Sequence, residues 1–197
     1  MRKALYRMVL ALALAVALIS EAQAGIEEAH AAYDRGNYSE AWSMYRQYAE
    51  QGDREAQYAL GGMYYDGKGV ARDYRQAALW LTRSAEQGLA EAQMFLGSLY
   101  FDGKGVSQDY EVALKWYLVA AQNGNVDAQF NMGYMYEYGL GVAIDCDKAQ
   151  DWYSRAANQG DEEAQEILQY FTCREYSNVA LLELRPVPTA FSSAITR

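Results

Sequence analysis

Few residues in this chain could do covalent chemistry. Histidine occurs once, at His30, so a Ser-His-Asp or Cys-His site would have to rest on that single imidazole. A serine activated by a lysine one helical turn away needs Ser-x-x-Lys, and no serine here has a lysine three residues on. Two separated cysteines and one histidine do not make a zinc ligand set, and no EF-hand spacing accompanies the acidic run Asp161-Glu162-Glu163. Gly67-Lys68-Gly69 and Gly103-Lys104-Gly105 suggest a phosphate cradle at first sight. A P-loop, however, puts Ser or Thr after the lysine, and the third copy has Leu140 in the lysine's place. These residues therefore predict turns, with no catalytic set, metal or cofactor. His30 is expected to face solvent from the first helix, and the Asp161 run to favour the positive end of a helix dipole.

What the sequence does contain is a repeat with a period of 36 residues, clearest in the registers 56–91, 92–127 and 128–163. Gly61, Gly97 and Gly133 coincide, as do Tyr64, Tyr100 and Tyr136, then Val70, Val106 and Val142, and Trp80, Trp116 and Trp152. Each register predicts two helices. Ala56, Ala59, Leu60, Met63 and Tyr64 form one buried stripe, and Ala77, Trp80, Leu81, Ser84 and Ala85 another. The recurring tryptophans and tyrosines are expected in the core. Asn131 interrupts the third first-helix stripe and would need a hydrogen-bond partner if buried. Asn37, Asp73, Asp109 and Asp145 precede the second helices as N-caps, with Glu40 and Gln76 placed to complete capping boxes. Gly52, Gly88, Gly124 and Gly160 stand where those helices turn through a left-handed residue.

The array continues at both ends. A shorter pair occupies about 26–55, and a half repeat over 164–171, with Ala164, Ile167, Leu168 and Phe171, would cover the last face. Residues 172–197, with Pro186 and Pro188, lose the period and predict a tail or cap. At the other end, Arg2, Lys3 and Arg7 precede the apolar run Met8 to Ile19 and the small-residue pattern Ala22-Gln23-Ala24. This is the pattern of a cleaved signal over 1–24, leaving a repeat domain over 25–171. Twelve apolar residues cover only about 18 Å of helix, too little for a bilayer core of about 30 Å, so no stable membrane insertion is expected after cleavage. Export to the periplasm or beyond would let Cys146 and Cys173 form a disulfide. Cleavage would take Lys plus Arg from 17 to 14 and Asp plus Glu from 26 to 25, moving the net charge from −9 to −11. Such a surface repels nucleic acid.

The text Ala-x-x-x-Leu-Gly-x-x-Tyr, then Gly-x-Gly-Val-x-x-Asp, then Ala-x-x-Trp, whole in Ala56 to Gly88 and Ala92 to Gly124, resembles the Sel-one-like repeat family, a relative of the tetratricopeptide repeats. The resemblance implies an all-α fold, a right-handed α/α superhelix used as an adaptor in protein assemblies, with first helices lining a concave face. On that layout Tyr58, Gly62, Tyr65, Met94, Ser98, Phe101, Phe130, Tyr134 and Glu137 point into a groove suited to a peptide or partner helix. The expected function is thus an exported scaffold, monomeric when alone, binding a protein partner in an envelope-associated or secreted complex. Two rivals come with the family. One is a β-lactam or peptidoglycan-directed hydrolase of a cysteine-rich secreted branch, whose members carry paired cysteines in each repeat where this chain has one pair. The other is a structural subunit of a secretion or flagellar assembly.

Overall fold

The computed structural model describes residues 24–171, all in helices or short connections. The signal-like opening and the tail with Cys173 lie outside the described residues. The helices are α1 (24–34), α2 (Tyr38–Glu50), α3 (Arg54–Asp66), α4 (Tyr74–Glu86), α5 (Ala90–Asp102), α6 (Tyr110–Gln122), α7 (Val126–Tyr138), α8 (Cys146–Asn158) and α9 (Glu162–Gln169). Each packs on its neighbours in the chain, most extensively within the pairs α3 on α4, α5 on α6 and α7 on α8. The result is the all-α, α/α superhelix that the 36-residue period predicts.

Close packing within pairs comes from small residues. Ala56, Ala77, Ala92, Ala113, Ala128 and Ala149 are fully buried at matching registers. Gly97 and Gly133 lie where a Cβ would sit 2.6 Å from a ring carbon of Tyr117 and of Tyr153. The largest fully buried side chains are therefore Tyr117 and Tyr153, with Leu81 and Tyr45 at the same register. The recurring aromatics expected in the core are partly outside it. Trp80 and Trp152 are buried, whereas Trp116, Tyr64, Tyr100 and Tyr136 are half-buried. Their rings flank the core, and Arg83 and Arg155 lie 4.4 Å over the centres of Trp80 and Trp152.

Asp73, Asp109 and Asp145 cap α4, α6 and α8, each carboxylate accepting backbone N–H groups of the first turn. Asn37 does not cap α2 through its side chain, which instead donates to Glu40 at 3.2 Å. The capping boxes fail for a related reason. The N–H of Asp73 that Gln76 would have to satisfy already donates to the carbonyl of Tyr64 at 2.9 Å, and that of Asn37 to Ala32. Asp53, Asn125 and Asp161 cap first helices in the same way as the aspartates of the second helices.

Candidate functional site

Positions three, seven and ten residues apart share one side of a helix. On α3 that side carries Glu55, Tyr58, Gly62 and Tyr65, on α5 Glu91, Met94, Ser98 and Phe101, and on α7 Asp127, Phe130, Tyr134 and Glu137. Neighbouring first helices are in contact at or beside these stripes. Tyr58 and Tyr65 both meet Phe95 of α5, with ring centres 6.4 and 5.0 Å apart, and Phe101 meets Tyr134 of α7 at 6.3 Å. The Tyr58 hydroxyl is pushed up in pKa by burial first, then by the charges of Glu91 and Asp127. Carboxylates of the next two repeats thus act on one ring, as they would on an inward-curving face.

The predicted groove residues are not equally accessible. Tyr58, Gly62, Tyr65, Ser98 and Glu137 are half-buried and border the face. Met94 and Phe101 are 5% and 7% exposed, Tyr134 7% and Phe130 1%. Phe130 lies against Tyr153 with ring centres 5.3 Å apart, and Tyr134 against Tyr138 at 4.5 Å. These side chains form floor and wall. Glu137 accepts the hydroxyl proton of Tyr153 at 2.8 Å, so its charge is partly engaged inward. The opening is at Gly62, where a Cβ would meet nothing within 4 Å.

The loops after the first helices close one edge. The Gly-Lys-Gly turns have left-handed glycines, φ 74° and 73° at Gly67 and Gly69, and their lysines reach back one repeat. Lys68 donates to the Tyr33 hydroxyl at 2.8 Å and pairs with Asp66 at 3.2 Å; Lys104 donates to Tyr65 at 2.8 Å and pairs with Asp102 at 2.9 Å. Hydrogen bonding to Tyr33 and then Asp66, against the desolvation of burial, pushes Lys68 up to about 12. Where the third loop has Leu140, the matching first-helix position is Phe101, with no hydroxyl to receive a lysine. The lysines are structural clamps and leave no phosphate cradle.

A second network runs through the repeat junctions. Gln57, Gln93, Gln129 and Gln165 donate side-chain N–H to the carbonyls of Ala49, Ala85, Ala121 and Ala157 at 3.0 to 3.2 Å. Three of them in turn accept from Gln87, Asn123 and Gln159 of the following turn. The signal was present as Ala-Gln recurring every 36 residues. The first three of these glutamines are buried, so the ladder satisfies helix-end carbonyls inside the repeat junctions.

His30 is exposed, but its Nδ1 shares a hydrogen bond with the hydroxyl of the buried Tyr45 at 2.6 Å. The same side of each pair supplies partners for other buried phenols, since Tyr117 donates to Ser98 at 3.1 Å. Asn131 is buried, and Cys146 opens α8. Among the described residues no group of His, Cys, Asp and Glu could hold a metal ion, and no helix is long and apolar enough to cross a membrane.

The Sel1 repeat model matches residues 31–53, 54–89, 90–125 and 126–161, more than half of the chain. Among solved structures, the chain is similar to a Sel1 repeat protein from Oxalobacter formigenes, with 35% identity and a TM-score of 0.71 over 74% of this chain and 60% of that one. It is also similar to c5321, described as a protective antigen present in uropathogenic Escherichia coli strains displaying an SLR fold. There the identity is 39% and the TM-score 0.73, over 76% of this chain and 33% of that one. Helicobacter pylori cysteine rich protein B shares the fold at 22% identity and a TM-score of 0.55, over 66% of this chain and 96% of that one. This chain thus spans 60% of the first relative's length and 33% of the second's. No curated protein matches it.

Proposed function

The chain belongs to the Sel1 repeat family, and from that membership and the first-helix face we propose an exported interaction scaffold that holds a peptide segment or helix of a partner protein. The observation that carries this reading is the opening at Gly62, flanked one turn to either side by the half-buried Tyr58 and Tyr65. Half-buried tyrosines beside an unfilled position offer a large apolar surface with polar tips, the composition of binding hot spots. Met94, Phe101, Phe130 and Tyr134 support the face from below, and Glu137 borders it. The reading is of binding without catalysis.

Export rests on the basic opening, the apolar run and the Ala22-Gln23-Ala24 pattern. The similarity to a protective antigen supports an envelope-associated or secreted setting. In that compartment Cys146 and Cys173 are assigned to one disulfide, and mass spectrometry without reductant should find the two cysteine peptides linked. Two freely alkylated thiols in the exported protein would remove the assignment.

The scaffold reading is tested with a photo-crosslinking residue at position 62 or 98, on the first-helix face, and at the exposed position 119 on α6 as control. In the native envelope fraction, adducts to a common partner are expected from 62 and 98 but not from 119. Adducts from 119 alone, or equally from all three, would move the binding surface to the second helices.

A further inference from the structure

The class of partner can be narrowed, on the premise that the first-helix face is the binding surface. From α3 onward the first helices carry a carboxylate at the same register: Glu55, Glu91, Asp127 and Glu163 stand 36 residues apart. A helix dipole favours an acidic residue somewhere in the first turn. It does not require the residue to fall at the register shared with Tyr58 and Gly62, as it does in these four helices. Glu55 and Glu91 are exposed, and Glu55, Glu91 and Glu163 make no ion pair among the described residues. After burial, the charges of Glu91 and Asp127 raise the pKa of the Tyr58 hydroxyl, so both carboxylates lie within electrostatic reach of that ring. At the other edge Lys68 and Lys104 are already held by Asp66 and Asp102 and by the phenols of Tyr33 and Tyr65. The cations of the face are thus matched, while Glu55, Glu91 and Glu163 are not.

We propose that this face takes a cationic segment, an extended peptide whose Lys or Arg side chains meet the carboxylate row and whose apolar side chain seats at Gly62 between Tyr58 and Tyr65. Charge complementarity of this kind selects the partner and speeds its approach more than it deepens affinity, and it weakens with salt. An acidic segment would be repelled by Glu55, Glu91 and Glu163.

The experiment uses the full processed chain and three series of labelled peptides that share the same Leu and Tyr positions and differ only in carrying Lys, Ser or Glu between them. Fluorescence anisotropy should show the Lys series binding about tenfold or more tighter than the Ser series, with the Glu series weakest. Raising salt from about 50 to about 300 mM should erase most of that difference. The combined variant Glu55→Gln, Glu91→Gln and Glu163→Gln, checked for helicity, should lose about tenfold toward the Lys series and little toward the Ser series. Gly62→Leu should weaken both alike. Equal binding of the Lys and Ser series, or a triple variant with unchanged affinity, overturns the cationic assignment. So does failure of all three series to bind the folded chain. The crosslinks from positions 62 and 98 decide the scaffold reading separately, since they need no assumption about charge.

Discussion

Replacing Gly62 by alanine should raise the melting temperature, and replacing its neighbour Gly61 should lower it. Both residues lie inside α3, where exchanging glycine for alanine gains about 0.8 to 1 kcal/mol of helix propensity. At Gly62 a Cβ meets nothing within 4 Å, so the gain is kept whole. At Gly61 the same Cβ falls 2.8 Å from Cγ and 3.1 Å from Cδ2 of Leu81, with the Ala77 carbonyl oxygen at 3.4 Å. Leu81 is fully buried and its branched Cγ cannot swing aside without moving the α4 core. Overpacking of that kind costs about 1 to 3 kcal/mol, which leaves a net loss of up to about 2 kcal/mol after the propensity gain. Gly97→Ala should be at the harsh end of that range, because it strikes the ring of Tyr117 at 2.6 and 2.7 Å, and that ring is fully buried and tied to Ser98. Thermal unfolding followed by far-ultraviolet circular dichroism resolves these effects, at about 2 to 4 °C per kcal/mol for a chain of this size. A Gly62→Ala protein no more stable than the parent, or a Gly61→Ala protein more stable, would refute the packing argument. If the opening at Gly62 seats a partner's side chain, the stabilised Gly62→Ala protein should also bind it less well, and stability and function would part at one atom.

Other outcomes follow from the networks. Gln93→Leu should cost about 1 kcal/mol in denaturant unfolding, because it removes two hydrogen bonds of a buried amide while the Ala85 carbonyl keeps the N–H of Gly88, whereas Gln165→Leu on the exposed rung should stay within about 0.5 kcal/mol. Lys104→Leu alone should destabilise, and Tyr65→Phe in the same protein should return part of the loss, reproducing the Leu140 and Phe101 arrangement. The coupling expected from a double-mutant cycle is about 0.5 to 1.5 kcal/mol. Tyr153 is driven well above the usual phenol pKa, by burial first and then by Glu137. A raised native pKa means the unfolded chain releases that proton first, so stability is intact below pH about 10 and falls as pH climbs beyond it. Denaturant midpoints measured across that range should fall less steeply for Tyr153→Phe than for the parent, and parallel slopes would contradict the assignment.

The helices and their turns were legible because every repeat must solve the same packing problem, so Gly52, Ala77 and Asp109 each carry their meaning in their periodicity. Residues defined by what lies opposite them were harder to read. Phe130 and Tyr134 have the spacing of groove residues, yet Phe130 disappears beneath Tyr153 because Gly133 lets that ring come close. His30 reads as a plain surface residue, since Tyr45, its hydrogen-bond partner, lies in another helix. The glutamine ladder is not legible in the sequence because amphipathic patterns assign Gln to solvent, and a buried amide is explained only by the carbonyl it reaches. Asn37 matched the capping pattern by spacing, but the short 35–37 connection commits its N–H to Ala32 and turns its side chain toward Glu40.

The alternation between lysine and leucine in the three long loops has a mechanical consequence. Where Lys68 and Lys104 bridge to a phenol and a carboxylate, a junction is pinned by directional bonds that lose strength after a small displacement. Where Leu140 replaces the lysine, the contact is greasy and nearly isotropic, and it tolerates sliding. The coil is therefore a spring of unequal stiffness. Bent or stretched by a guest, it yields first between the third and fourth helix pairs while the earlier turns hold their pitch.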